Sequence, residues 1–482
     1  MQEKEAPSTS LVNGQLTLPC YHVSVLTSDI QCDLLLEGCG QCRRAKLLCH
    51  GFRGSLELAF RDETHATKQK VLARQEFTHS AEPSTLQLGW DVRSRQAFFC
   101  IYVTRLSRSF DSLIHLYAHA SALDSLSASI DAVSLAFMSV QLNSSEILNL
   151  AKRKYVIAIH NLAKALQNPS ISARDDTLQT VLLLDHYEKL VNRNLRSPTS
   201  WMSHIQGAMA LVKARGLGFS SPIACELTIR MAFTLTVSCG AAICPIPDEL
   251  TTLWKSLGCI VKGAKWGFIS LLMDVVNLRA NIHNGRFACA ADAVDRAREI
   301  EDQLILLATK TNRSFNTRRV YFVEDHPLVF DHHYDLYLDH AVDHFCDSIR
   351  TIRLEMNNIM RICDPGYTSD LATRTSKAIS ELTQEVCAMV PQFILPEARS
   401  ENGMPFSPLQ KLQCCILLAP LFLANQLSDN DRMRDWIWHI MKHMVEVGKM
   451  KIAQDVIDIL IARPDTDHWK IFVMTGSYAI AA

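Results

Sequence analysis

The sequence has almost no charge imbalance: 49 basic and 50 acidic residues leave a net charge of −1 over 482 residues. Bulk charge therefore singles out neither a nucleic acid nor a membrane as partner. The opening MQEKEAPSTS places acids where a secretory leader needs a basic region, and no long apolar run follows it. No secretory signal is expected, so the 16 cysteines are expected as reduced core thiols or metal ligands, not disulfides. The longest apolar run, Leu412 to Ala424, is too short to span a bilayer and contains Pro420. It reads as a buried helix, and no membrane is expected. Strand-like alternation is scarce throughout.

Catalytic constellations are missing as well. Gly216-Leu217-Gly218 follows a helical stretch and has Ser221 where a dinucleotide loop needs its third glycine. Gly258 to Gly263 lacks the Gly-Lys-Ser/Thr ending of a phosphate loop, and there is no Gly-x-Ser-x-Gly elbow. His326, His332, His333, His340 and His344 cluster in one region, with His340 and His344 at metal-ligand spacing on a helix. Ala341 stands where a zinc protease has its glutamate, and no third ligand converges. Asp339 and Asp343 are expected to pair with these imidazoles. The histidines read as exposed or satisfied, and no enzyme is expected. Cys414-Cys415 read as core thiols, and Trp254, Trp266, Trp436 and Trp438 as packing residues.

What is present is a dense cysteine cluster. Cys32, Cys39, Cys42 and Cys49 fall within 18 residues, a window in which 16 cysteines over 482 residues would place fewer than one. The inner pair is Cys-x2-Cys, the spacing that lets two thiolates reach one tetrahedral Zn²⁺. Gly38 and Gly40 suggest a loop there, against a redox dithiol on a strand-to-helix turn. Between Cys39 and Arg74 stand eight basic and three acidic residues, a local net of +5 in a chain of net −1. Such a patch suits phosphate contacts. Ala81 to Thr85 reads as a linker.

Cys32-Asp33, then Gly38-Cys39-Gly40-Gln41-Cys42-Arg43-Arg44-Ala45, then Cys49-His50-Gly51-Phe52-Arg53 resemble the second half of the DNA-binding module of fungal zinc-cluster transcription factors. That module holds two zinc ions with six cysteines. The resemblance implies Cys32, Cys39, Cys42 and Cys49 as zinc ligands and Arg43, Arg44, Lys46 and Arg53 as phosphate contacts. The first Cys-x2-Cys of the module is absent, because its positions fall on His22 and Val25. The turn that reads bases in the family corresponds to Leu26 to Gln31, which contains no lysine or arginine. The four cysteines are expected to hold a single Zn²⁺, with Cys20, His22 or His50 as substitute ligands, or to have lost the metal.

From about residue 85 onward apolar residues recur at helical spacing. Ala151, Tyr155, Ala158, Ile159, Leu162 and Leu166 form one stripe, closed by Pro169. Asp175-Asp176 open the next run with the acid-first polarity a helix favours. Ser197-Pro198 predicts a cap and first turn for a helix burying Trp201, Ile205, Ala208, Leu211 and Val212, stopped at Gly216. Asp435 to Leu460 is helical in pattern. Asp91 to Val103, Leu150 to Leu190, Ser200 to Gly216 and Val329 to Leu354 resemble segments of the regulatory domain of the same family, the last of them as a single helix.

The expected organisation is mostly all-α. A divergent segment (1–31) precedes a partial zinc-cluster module (32–54), a basic linker (55–84) and a helical regulatory domain of antiparallel hairpins (85–482). The resemblance implies a nuclear regulator of RNA polymerase II genes whose partners are zinc, double-stranded DNA, a second copy of the chain and the transcription machinery. The alternative is a helical regulatory protein that does not bind DNA and acts through protein partners or dimerisation.

Overall fold

The structure, a computed structural model, describes residues 40–44, 46, 88–107, 110–121, 124–191, 198–215, 221–258, 261–312, 317–364 and 369–476. The chain divides into two units, Met1–Gln87 and Leu88–Ala482. In the first, the short helix α1 (Gly40–Arg44) replaces the loop expected at Gly40.

Among the described residues, the second unit's regular structure is helical apart from one ribbon. It opens with α2 (Trp90–Ala97), which runs into a π-helical segment, Phe98–Leu106. The wider winding stacks Phe98 on Tyr102 at 5.2 Å and buries both. Then come α3 (Asp111–Ala118), α4 (Ser125–Leu142), α5 (Ser145–Leu166) and the single turn α6 (Pro169–Ser172). α7 (Asp175–Val191), α8 (Pro198–Arg215), α9 (Pro222–Ala242), α10 (Asp248–Leu257), α11 (Ala264–His283) and α12 (Ala290–Asn312) follow. β1 (Thr317–Tyr321) pairs antiparallel with β2 (His333–Tyr337), Thr317 facing Tyr337. The long helix α13 (His340–Cys363) leads to α14 (Ser369–Met389), α15 (Pro391–Ile394) and α16 (Pro408–Leu427). The chain closes with α17 (Asp431–Glu446), α18 (Lys451–Ala462) and α19 (His468–Thr475).

Local chemistry sets these boundaries. Asp124 accepts from Ser127 N–H at 2.8 Å to start α4, and Asn143 ends it in the left-handed region at φ 51. Ser144, one residue on, caps α5, so a two-residue turn makes α4 and α5 a helical hairpin. Pro169, Pro222 and Pro408 each sit in the first turn of their helices, behind caps Asn168, Ser221 and Ser407. Ser407 and Gln410 complete a reciprocal capping box. Leu412 to Ala424 lies within α16, buried apart from Cys415, with Pro420 inside the helix. α4 and α9 are long and apolar enough by composition to cross a membrane, and most of each is buried in the body.

The core forms two clusters, one mainly from α2 to α13 and one mainly from β2 to α19. α13 serves both: Ile349, Ile352, Met356 and Met360 face the first, and Cys346 and Leu354 the second. Each fully buried large apolar side chain contributes about 1.5–3 kcal/mol of transfer free energy.

Three expectations are corrected. On α5, Ala151, Ala158 and Leu162 are buried, but Ile159 and Leu166 are exposed. The face against α4 is the narrower row Ile147, Ala151, Ala158 and Leu162, and Ile159 and Leu166 lie to one side of it. Val329 to Leu354 is not one helix: β2 occupies its first part, and α13 begins only where Asp339 caps it by accepting from Ala341 N–H at 2.8 Å. Asp435 to Leu460 is broken between α17 and α18, where Lys449 takes φ 53. On α8, Ala208 and Val212 are buried and Leu211 is half-buried; the side chains of Trp201 and Ile205, like Gly216, lie outside the described residues.

Candidate functional site

Cys32, Cys39, Cys49 and Arg53 lie outside the described residues, as do Cys20, His22 and His50 and the side chain of Cys42. Arg43, Arg44 and Lys46 are described and exposed. Arg44 Nε donates to the Gly40 carbonyl at 3.2 Å, folding its stem back along α1. Lys46 N–H donates to Arg43 O at 3.3 Å, closing the helix with Lys46 at φ 54. Three cations thus leave one short turn toward solvent, an arrangement able to meet phosphate oxygens.

In the second unit the notable chemistry is inside the body, and α13 carries much of it. Arg350 is nearly buried; it donates to Glu385 Oε2 through Nε and to the Tyr337 hydroxyl through Nη2, both at 2.7 Å. Arg399 donates to Tyr337 O at 2.7 Å and Gln392 Oε1 at 2.6 Å. Asn402 donates to the Gln392 and Leu395 carbonyls. These bonds tie β2, α14 and α15 to α13. Beside them Asp343 and Asp347, one helical turn apart, are 0% and 1% exposed. Both oxygens of Asp343 and one of Asp347 lack a hydrogen bond of ordinary geometry. Burial raises Asp343 well above the usual carboxylate range, with repulsion from Asp347 adding to it. Burial also pushes Asp347 up to about 7 against the opposing pull of Arg350. His344 stacks on Phe393 at 5.6 Å, and burial holds its imidazole neutral, down at about 3.

A second network opens to solvent. Arg279 on α11 bonds Glu355 on α13, and Asp467 Oδ2 at 2.5 Å. Trp469 Nε1 donates to Glu355 Oε2 at 3.0 Å, and the Arg279 guanidinium lies 5.3 Å from the Trp469 ring centre. Arg279, Glu355 and Asp467 form one wall of a cleft of about 610 Å³, bordered also by Asn358, Arg434 and Asp465. A cleft of that size holds a small molecule.

The histidine group forms no joint site. His332 Nε2 lies 3.3 Å from Asp325, His326 Nδ1 accepts from Leu328 N–H, and His333 lies in β2. Asp343 does not pair with an imidazole; it is buried one turn from Asp347. Among the described residues no group of three or more histidine, cysteine or acidic side chains is placed to hold a metal ion. Cys414 is buried and Cys415 half-buried within α16, and Trp254 stacks on Trp266 at 3.5 Å. Sequence reasoning missed the Asp343–Asp347 pair and the Arg279–Glu355–Asp467 network. The signal was there for the first: Asp343, Asp347, Arg350 and Leu354 share one face of α13, so charge falls in phase with a core position.

Residues 96–460 match the family described as the fungal specific transcription factor domain. No curated protein and no solved structure matches the chain.

Proposed function

The chain belongs to the fungal-specific transcription factor domain family, and on that premise we propose that it is a zinc-cluster regulator of RNA polymerase II genes acting in the nucleus. Cys32, Cys39, Cys42 and Cys49 would hold Zn²⁺, and Arg43, Arg44, Lys46 and Arg53 would neutralise DNA phosphates. The metal's contribution is to fix the fold of a segment too short to build a core. The helical body would restrain or activate the factor, mediate pairing with a second copy, and meet the transcription machinery. The cleft beside Arg279 has room for a small polar effector. The observation that carries this reading is the family match over residues 96–460 in a chain that also carries the Cys32–Arg53 motif.

A specific observation favours a second reading. His22 and Val25 replace the first cysteine pair, and Leu26 to Gln31 offers no base-reading cation. A chain so altered would act through protein partners or as a dimerising competitor of intact relatives. Chromatin immunoprecipitation of the tagged full chain beside its Cys42→Ser variant separates the two. Enrichment at promoters that the substitution abolishes supports zinc-dependent DNA binding. Enrichment that survives it points to recruitment through partners, and no enrichment with either chain counts against both promoter-bound readings.

A further inference from the structure

α9 ends in an unusual turn. Ala242 is its last residue, and Ile243 lies in the left-handed region at φ 51, ψ 43. That region is the customary place of glycine, and a β-branched side chain is strongly disfavoured there. The turn is nonetheless closed twice, Ile243 N–H bonding Gly240 O at 3.2 Å and Cys244 N–H bonding Cys239 O at 3.0 Å. A closure over six residues folds the chain back so that the first and last α-carbons become neighbours. That is the approach a disulfide requires, with α-carbons about 4.4–6.8 Å apart.

The residues at those two places are both cysteines, and both are reduced. Cys239 is fully buried in the first core cluster, while Cys244 is half-buried at its edge. The turn is also held from the other side. A Cβ on Gly240 would stand 2.4 Å from the Trp469 ring, so α9 and α19 are in close contact at this end. One thiol is thus reachable from solvent and the other waits behind it in a rigid setting. Cys387 and Cys414, by contrast, are completely enclosed.

We propose that Cys239 and Cys244 form a redox-modification site that takes small hydroperoxides, Cys244 being attacked first and Cys239 resolving the product to a disulfide. In the first step the Cys244 thiolate sulfur attacks one peroxide oxygen. The O–O bond breaks, the sulfur becomes a sulfenic acid, and the departing oxygen leaves as water or an alcohol after taking up a proton. In the second step the Cys239 sulfur displaces the sulfenic hydroxyl. The S–S bond forms, and the hydroxyl leaves as water with the proton of Cys239. Two thiols are oxidised by two electrons, and one hydroperoxide is reduced. The electrostatics match this order. Hydrogen bonding from the Cys239 thiol lowers Cys244 below the usual thiol range and favours its thiolate, while the same contact raises Cys239.

The test uses the full chain. It is treated with hydrogen peroxide, its free thiols are blocked, and the digest is read by mass spectrometry. A Cys239–Cys244 peptide lighter by two hydrogens and reversed by a dithiol reductant is expected. In parallel, the rate of Cys244 alkylation is followed against pH. A midpoint below that of an ordinary thiol is expected, moving up in Cys239→Ala. In that variant peroxide should leave Cys244 as sulfenic or sulfinic acid. Absence of the linked peptide, together with a midpoint that Cys239→Ala does not move, would overturn the proposal.

Discussion

Replacing Asp347 by asparagine should raise the body's stability relative to the parent as pH rises toward 7. Asp347 is 1% exposed on α13 and titrates near 7 in the folded chain, against about 3.9 in an unfolded one. The groups around it are Asp343 and His344 on its own helix, Arg350 below, Glu385 on α14, and Gln392 and Arg399 beyond Asp343. His344 is neutral and Asp343 is the more strongly raised of the acids, so Asp347 is the carboxyl that ionises near neutrality. Its folded pKa lies above its unfolded one. Its protonated form therefore contributes fully below about pH 4, and the contribution falls as pH rises and is gone above about 7. The difference between about 7 folded and about 3.9 unfolded corresponds to about 4 kcal/mol. Asparagine does not titrate, so the gap between variant and parent should widen by about 1.4 kcal/mol per pH unit across that window. Its amide brings new donors into the site and adds a constant offset, so the slope is the quantity to read. Urea midpoints of both chains at pH 5, 6, 7 and 8 provide it. A gap that stays constant from pH 5 to 8 would refute the reasoning.

Other perturbations have expected outcomes. Lys189→Met should destabilise the body by about 3–5 kcal/mol, because it removes the 2.8 Å partner of Asp185 where both side chains are at most 2% exposed; adding Asp185→Leu should restore much of the loss. Thermal melting of the single and double variants checks it. Gly240→Ala should cost about 1–3 kcal/mol through the Trp469 clash. Gly207→Ala, exposed on α8 with nothing near its added Cβ, should instead stabilise by about 0.5–1 kcal/mol, and the two melting temperatures should move in opposite directions. If Arg43, Arg44, Lys46 and Arg53 each neutralise one phosphate, the salt slope of DNA affinity should be about −3.6, and Arg43→Ala should reduce it by about 0.9.

The helical character of the body was legible because proline, capping residues and the 3.6-residue period agree at most boundaries. Pro169 and Asp175 mark the breaks around α6 and α7 as read. The ribbon was not legible. His333 to Tyr337 lies among charged and aromatic residues whose strand is made by pairing with β1, a long-range fact that local periodicity does not hold. Ile159 and Leu166 were over-read because an apolar residue one step from a stripe looks like part of it until the neighbouring helix is placed. The interior networks needed three-dimensional placement for another reason. Arg279, Glu355 and Asp467 come from three distant segments, and each alone looks like an ordinary surface charge. Cys239 and Cys244 are two unremarkable cysteines until the left-handed Ile243 folds one over the other.

The proposed function requires a zinc-thiolate segment that joins this helical body to DNA. Native mass spectrometry of the full chain, beside a quadruple Cys32, Cys39, Cys42 and Cys49 to serine variant and with DNA binding followed over a salt series, tests it most directly. At least one zinc ion is expected in the parent and none held by that segment in the variant, with DNA affinity that falls with salt in the parent and collapses in the variant. A parent chain that takes up no zinc and binds DNA no better than the variant would contradict it.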